Sequence, residues 1–135
     1  MPKPSILICD DEESVRAAIR LILERDYELR FAADGEEALE QWRQQPADLI
    51  LLDINMPKKD GLEVLQEVMA TQPPPRVLML TAYQSVEIAQ RATQAGAMDY
   101  VTKPFERQSL LNAVHRALNI HDWQRHQPTP GAPSS

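Results

Sequence analysis

Short, nearly continuous apolar runs alternate along the chain with segments whose apolar residues recur every three or four positions. The first pattern predicts strands covered on both faces, the second amphipathic helices. "SILIC" (Ser5 to Cys9) predicts a strand. Ser14 to Arg25 predicts a helix with Val15, Ala18, Ile19, Ile22 and Leu23 on one stripe. "ELRFAA" (Glu28 to Ala33) is a second strand, and the Asp34-Gly35 turn leads into a helix bearing Ala38, Leu39 and Trp42. "DLILLD" is the third strand, and Leu62, Leu65, Val68 and Met69 mark the third helix. Pro73, Pro74 and Pro75 stop that helix ahead of "RVLMLT", the fourth strand. Ser85 then caps a helix with Val86, Ala89 and Ala92 on one face, and Gly96 ends it. "DYVT" is a short fifth strand. Glu106 to about Ile120 is the last helix, with Leu110, Leu111, Val114, Ala117 and Leu118 facing inward.

Five strand–helix pairs with short connections argue for an α/β fold, a parallel sheet with helices on both faces. Residues 1–120 form the domain. Residues 121–135, with "QPTPGAPSS" from Gln127, have the composition of a Pro/Ser-rich tail or linker. No internal repeat is present.

Composition narrows the class. The chain has 135 residues, 43% hydrophobic and 25% charged, which suits one folded domain rather than a disordered one. Its net charge of -6 makes it poorly suited to grip nucleic acid, which demands cationic contacts to phosphates. With one cysteine, Cys9, it has no internal disulfide. Cys9 reads as a small buried hydrophobe and Trp42 as core. His115, His121 and His126 are too loosely spaced for a metal site. "MPKPSILICDDEE" is no signal peptide, and no apolar run approaches the roughly 20 residues of a membrane span. A cytoplasmic protein is expected.

The chemistry gathers where strands end. In open α/β sheets ligands bind at the carboxyl ends of the strands. Strand one is followed by Asp10, Asp11, Glu12 and Glu13. In "LILLDINMP" (Leu49 to Pro57) the third strand ends on Asp53, with Asn55 two residues on. Strand four ends at Thr81, strand five at Thr102-Lys103-Pro104-Phe105. Each feature has an ordinary alternative: an acidic helix N-terminus, a turn-forming Asp, a Lys-Pro loop. If strands one and three are neighbours, however, Asp10, Asp11 and Asp53 converge. Carboxylates about 4 Å apart repel by on the order of 4 kcal/mol per pair at an effective dielectric of about 20. A hard divalent ion such as Mg2+ offsets this, and Lys103 adds a compact positive charge. Acids, metal, lysine and the Thr81 hydroxyl fit phosphoryl transfer to a carboxylate.

From Ser5 to Ile120 the chain resembles the receiver domain of bacterial two-component response regulators. "ICDDE", "LLDINMPKKDG", "LTAY" and "GAMDYVTKPF", in this order and spacing, carry the resemblance. It implies a flavodoxin-like, doubly wound five-stranded parallel sheet of order 2-1-3-4-5. It also implies roles. Asp53 would be the phospho-acceptor, taking a phosphoryl group from a sensor histidine kinase or a phosphotransfer protein. Asp11 would ligate Mg2+ directly and Asp10 mostly through water, with Asp53 and the backbone carbonyl of Asn55 completing the set. Lys103 and Thr81 would contact the phosphoryl oxygens, and Tyr100 would turn inward behind Thr81. The Lys103-Pro104 peptide would be cis, and Pro57 and Gly61 would shape the loop after the acceptor. Asn55 and Tyr83 occupy the two variable positions that tune acyl-phosphate hydrolysis, the Tyr83 ring as a screen against water or as a surface for partners.

The resemblance implies a signalling switch, not an enzyme of sustained turnover. Its output would be the face of the fourth helix, fifth strand and fifth helix, acting on a downstream effector, an effector domain of its own, or a phosphorylation-dependent homodimer. Arg91, Arg107 and Arg116 on that face read as solvated charge or as dimer ion pairs. No contact with nucleic acid or membrane is expected of this chain. The stretch from Ser85 to Leu118 looks closer to receivers of the nitrogen-regulation enhancer-binding class than to those with winged-helix effectors. The competing reading is a Mg2+-dependent phosphatase with an aspartate nucleophile. That chemistry needs an acid two residues after the nucleophile, where Asn55 stands. A nucleotide-binding module lacks its Gly-rich loop after strand one.

Overall fold

The computed structural model describes residues 3–82 and 86–119. The elements run β1 (Ser5–Cys9), α1 (Glu13–Leu23), β2 (Glu28–Ala32), α2 (Gly35–Gln44), β3 (Leu49–Asp53), α3 (Gly61–Met69), β4 (Val77–Ala82), α4 (Val86–Gln94), β5 (Asp99–Lys103) and α5 (Arg107–Asn119). All strand pairs are parallel, and the sheet order is β2-β1-β3-β4-β5. The expected fold class is therefore the observed one.

Strand side chains alternate faces, so continuous apolar runs feed two cores at once. Ile6, Ile8, Leu49, Leu51, Leu78 and Leu80 pack on the side of α1 and α5, with Ile19, Leu23, Leu110 and Val114. Leu7, Cys9, Ile50, Leu52, Val77 and Met79 face the other side, against α2, α3 and α4. Trp42, Leu65 and Ala89 belong to that second core. Cys9 is fully buried, and burial pushes its thiol pKa strongly up, which leaves it a small apolar side chain. Edge strand β2 is covered less well: Glu28 is exposed and Leu29 to Phe31 are half-buried. On α1 the stripe is narrower than its period suggests. Ile19 and Leu23 are buried, Val15 and Ile22 flank them, and Ala18 is exposed.

Local signals fix the helix ends. Asp34 caps α2 by accepting from the Glu37 N–H at 2.8 Å. Asp60 and Glu63 form a full capping box at the start of α3. Gly96, at φ +120°, follows α4 in a conformation that side chains rarely adopt. The Lys103-Pro104 peptide is cis. Tyr83, Ser85, Ile120, His121, Trp123, His126 and the tail from 121 to 135 lie outside the described residues. Among the described residues, no helix is long and apolar enough to cross a membrane.

Candidate functional site

Register assembles the site. Cys9 pairs with Leu52, so the residues that follow, Asp10 and Asp53, come side by side at the carboxyl edge. Asp53 pairs with Leu80, which puts Thr81 one step beyond it on β4. Ala82 pairs with Lys103, the last residue of β5. Four strands thus deliver two acids, a hydroxyl and an ammonium to one edge. Asp10, Asp53 and Thr81 are the buried polar side chains of the described residues, at 0%, 2% and 0% exposure.

A buried charge requires a partner. Here the partner is Lys103, whose Nζ lies 3.0 Å from Asp10 Oδ2, 3.4 Å from Asp53 Oδ1 and 3.5 Å from Glu12 Oε1. Asp10 Oδ1 also accepts from the Glu12 N–H at 2.9 Å, and Asp53 Oδ1 from the Asn55 N–H at 3.3 Å. Burial raises the Asp53 pKa to about 6, the Asp10 charge adds to this, and Lys103 and the Asn55 N–H oppose it. Burial also works against the charge of Lys103. The hydrogen bond to Asp10 and the charges of Asp53, Asp10 and Glu12 outweigh it and raise the Lys103 pKa. The Thr81 hydroxyl donates to the Ala82 carbonyl at 3.2 Å. Tyr100 is half-buried and packs on the core beside α2, α3 and α4.

Asp53, Glu12, Asn55 and Lys103 open on a cleft of about 590 Å³, lined also by Asp11 and Ala82, with Val15 and Pro104. Carboxylate oxygens of Asp10, Asp11 and Glu12 all lie within 4.8 Å of one another. Hard oxygen donors on a pocket with one buried acid fit a hard divalent cation. Asp53 meets this trio across the Lys103 ammonium. Gly61 brings α3 against the end of β3. Its N–H donates to the Ile54 carbonyl at 2.8 Å, and a Cβ there would stand 2.2 Å from the Asp53 carbonyl oxygen.

Thus Asp10, Asp11, Asp53, Asn55 and Lys103 are brought together, Thr81 stands one register step from Asp53 on β4, Tyr100 packs on the core, and Tyr83 is outside the described residues. Sequence reasoning named Glu12 only as one acid of a run and did not select Arg16. Glu12 reaches Lys103, and the Arg16 guanidinium donates to the Asp10 carbonyl at 2.7 Å. The signal for Glu12 was its place just before α1, at the N-cap. Arg16 gave none. Elsewhere Arg116 lies 3.9 Å from Asp99 of the same chain, and His115 is in contact with Asn119 at 2.6 Å.

A doubly wound sheet with an acid-lined crevice where β1 and β3 part defines a ligand-binding α/β module of the switch-point kind. Comparison with known proteins specifies it. Residues 6–115 match the family model described as response regulator receiver domain. The chain belongs to this family, whose members are signalling domains of two-component systems. It is 37% identical to Protein CcdB of Bacillus subtilis (strain 168) over 84% of this chain and 96% of that one. It is also 37% identical to the Transcriptional regulatory protein ZraR of Escherichia coli (strain K12), over 96% of this chain but only 30% of that protein. The crystal structure of NtrX from Brucella abortus in complex with ADP superposes with a TM-score of 0.85 at 32% identity, covering 91% of this chain and 29% of NtrX. The chain therefore spans nearly all of one relative and under a third of the other two.

Proposed function

We propose that this chain is a phosphorylation-operated switch in which Asp53 accepts a phosphoryl group from a phosphohistidine of a sensor kinase or phosphotransfer protein. The observation that carries this is Asp53 itself: a buried carboxylate at the end of β3, 3.4 Å from the Lys103 ammonium and open to the acid-lined cleft. A carboxylate oxygen attacks phosphorus, and the bond from phosphorus to the imidazole nitrogen breaks. The leaving imidazole keeps the electron pair, and Asp53 carries an acyl phosphate. Lys103 neutralises a phosphoryl oxygen, and the Thr81 hydroxyl donates to another. Asp10, Asp11, Asp53 and the Asn55 carbonyl would hold Mg2+, which neutralises charge on the transferring group when bound.

The new group brings about -1.5 to -2 charges and strong acceptor oxygens. Thr81 and Lys103 bind them in one arrangement only, and that differential affinity shifts the equilibrium between conformations. Tyr100 follows Thr81 inward and changes the face of α4, β5 and α5, which a downstream partner, a second copy or an attached effector reads. The reader is either a separate partner or an effector on the same polypeptide, and the overlap with 30% of the transcriptional regulatory protein ZraR supports the second arrangement.

Incubation with radiolabelled acetyl phosphate and Mg2+ tests the assignment. The wild type takes up label that alkaline hydroxylamine releases, and Asp53→Asn takes up none. Full labelling of the variant would overturn it.

A further inference from the structure

Glu12 stands at the N-cap of α1 in extended conformation, φ -91° and ψ 118°, yet its side chain makes no capping hydrogen bond. Its own N–H is held by Asp10 Oδ1 at 2.9 Å, which fixes the residue against the site. The carboxylate is turned instead into the cleft, 3.5 Å from Lys103 Nζ. Of the three acids around Lys103, Asp10 and Asp53 have other work if Asp53 is the acceptor. A cation bound there competes for their oxygens, and Asp53 gains the phosphoryl group. With a cation on Asp10 and Asp11, Glu12, the exposed member of the acid trio that reaches Lys103, is the partner that remains.

We infer that Glu12 is a positioning residue that holds the Lys103 ammonium at the mouth of the cleft until a phosphoryl oxygen takes its place; this rests on Asp53 being the acceptor. The pairing suits such a role. The Glu12 side chain is 59% exposed, so solvent keeps the ion pair weak and exchangeable. The Asp10 contact, with a fully buried carboxylate, is the tighter one. Exchange also has a direction. A phosphoryl oxygen offers Lys103 a more concentrated charge, in a drier place, than an exposed carboxylate does. Glu12 further sets a negative charge beside the path of an anionic donor.

The test compares wild type, Glu12→Gln and Glu12→Asp. With acetyl phosphate and Mg2+, Glu12→Gln takes up label about three- to fivefold faster than wild type, and the difference shrinks as salt screens the exposed charge. Glu12→Asp, which keeps the charge, stays near the wild-type rate. Without any donor, the Lys103 ζ-ammonium resonance in the Mg2+-loaded protein shifts in Glu12→Gln and not in Glu12→Asp. An unchanged rate with an unmoved resonance overturns the inference. So does slower uptake with weaker Mg2+ binding by calorimetry, which would make Glu12 a cation ligand. Failure of the wild type to label at Asp53 would instead sink the acceptor reading, and the ammonium resonance would still decide the role of Glu12.

Discussion

At the scale of single residues, Asp53 carries the largest electrostatic conflict of the site. Its folded pKa of about 6 lies above the ordinary 3.8, because burial and Asp10 disfavour the charge more than Lys103 favours it. The folded protein therefore binds the Asp53 proton more tightly than the unfolded chain. That contribution is fully present below pH 3.8 and is lost as pH rises through about 6. With metal chelated, the stability of Asp53→Asn relative to wild type should increase between about pH 4 and pH 7, by on the order of 2–3 kcal/mol. Urea unfolding of both proteins across that range measures it, and a constant gap would refute it. Asp53 was legible in the sequence because an acid ending an apolar run contradicts the run. Asp10 and Lys103 were legible for the same reason, each closing a strand. The contact from Glu12 to Lys103 was not, since it depends on one rotamer at a helix start. Nor was the reach of Arg16 to the Asp10 carbonyl, which depends on how α1 leaves β1.

At the scale of elements, periodicity located every strand and helix, but it could not grade burial. Ala18 shares the helical stripe of α1 and is exposed, because Ile19 and Leu23 point more directly at the sheet. Arg30 lies mid-strand in β2, which an edge position tolerates. Its guanidinium reaches the Gln41 and Gln45 carbonyls at the end of α2. The loop from 54 to 60 joins the buried Asp53 to α3. The capping box of Asp60 and Glu63 anchors its far end, and Gly61 sets how closely it packs. In an ordinary exposed helix, Gly→Ala would stabilise by up to about 1 kcal/mol. At Gly61 the added Cβ meets backbone at 2.2 Å, and backbone cannot rotate aside. Gly61→Ala should therefore destabilise the fold by about 1–3 kcal/mol and slow label uptake at Asp53 by displacing that strand end. Thermal unfolding and acetyl phosphate labelling of this variant measure the two effects. A more stable variant with unchanged uptake would mean the loop yields freely.

At the scale of the whole molecule, the site exists because of strand order. β2 lies on one side of β1 and β3 on the other, so the chain leaves β1 and β3 in opposite directions. A crevice opens between those exits, and Asp10 and Asp53 stand at its floor. Hydrophobic period could predict the strands and their parallel pairing but not their sequence across the sheet. That order came from motif resemblance, and the register then fixed which side chains meet. Asp10 and Asp53 come from strands far apart in sequence, so a cation held between them would bind only the folded chain. Binding to the folded state alone stabilises by about 2.7 kcal/mol at a hundredfold excess over Kd. Mg2+ should raise the unfolding midpoint of the wild type accordingly. Asp11 is exposed, so Asp11→Asn should leave the chelated protein within about 0.5 kcal/mol of wild type. The same variant should lose most of the Mg2+ response, because the amide has no charge to offer a hard ion. Urea midpoints with Mg2+ and with chelator, for both proteins, separate binding from folding. A full Mg2+ response in Asp11→Asn would move the cation away from the acid pair. No response in the wild type would leave Lys103 as the charge that balances Asp10 and Asp53.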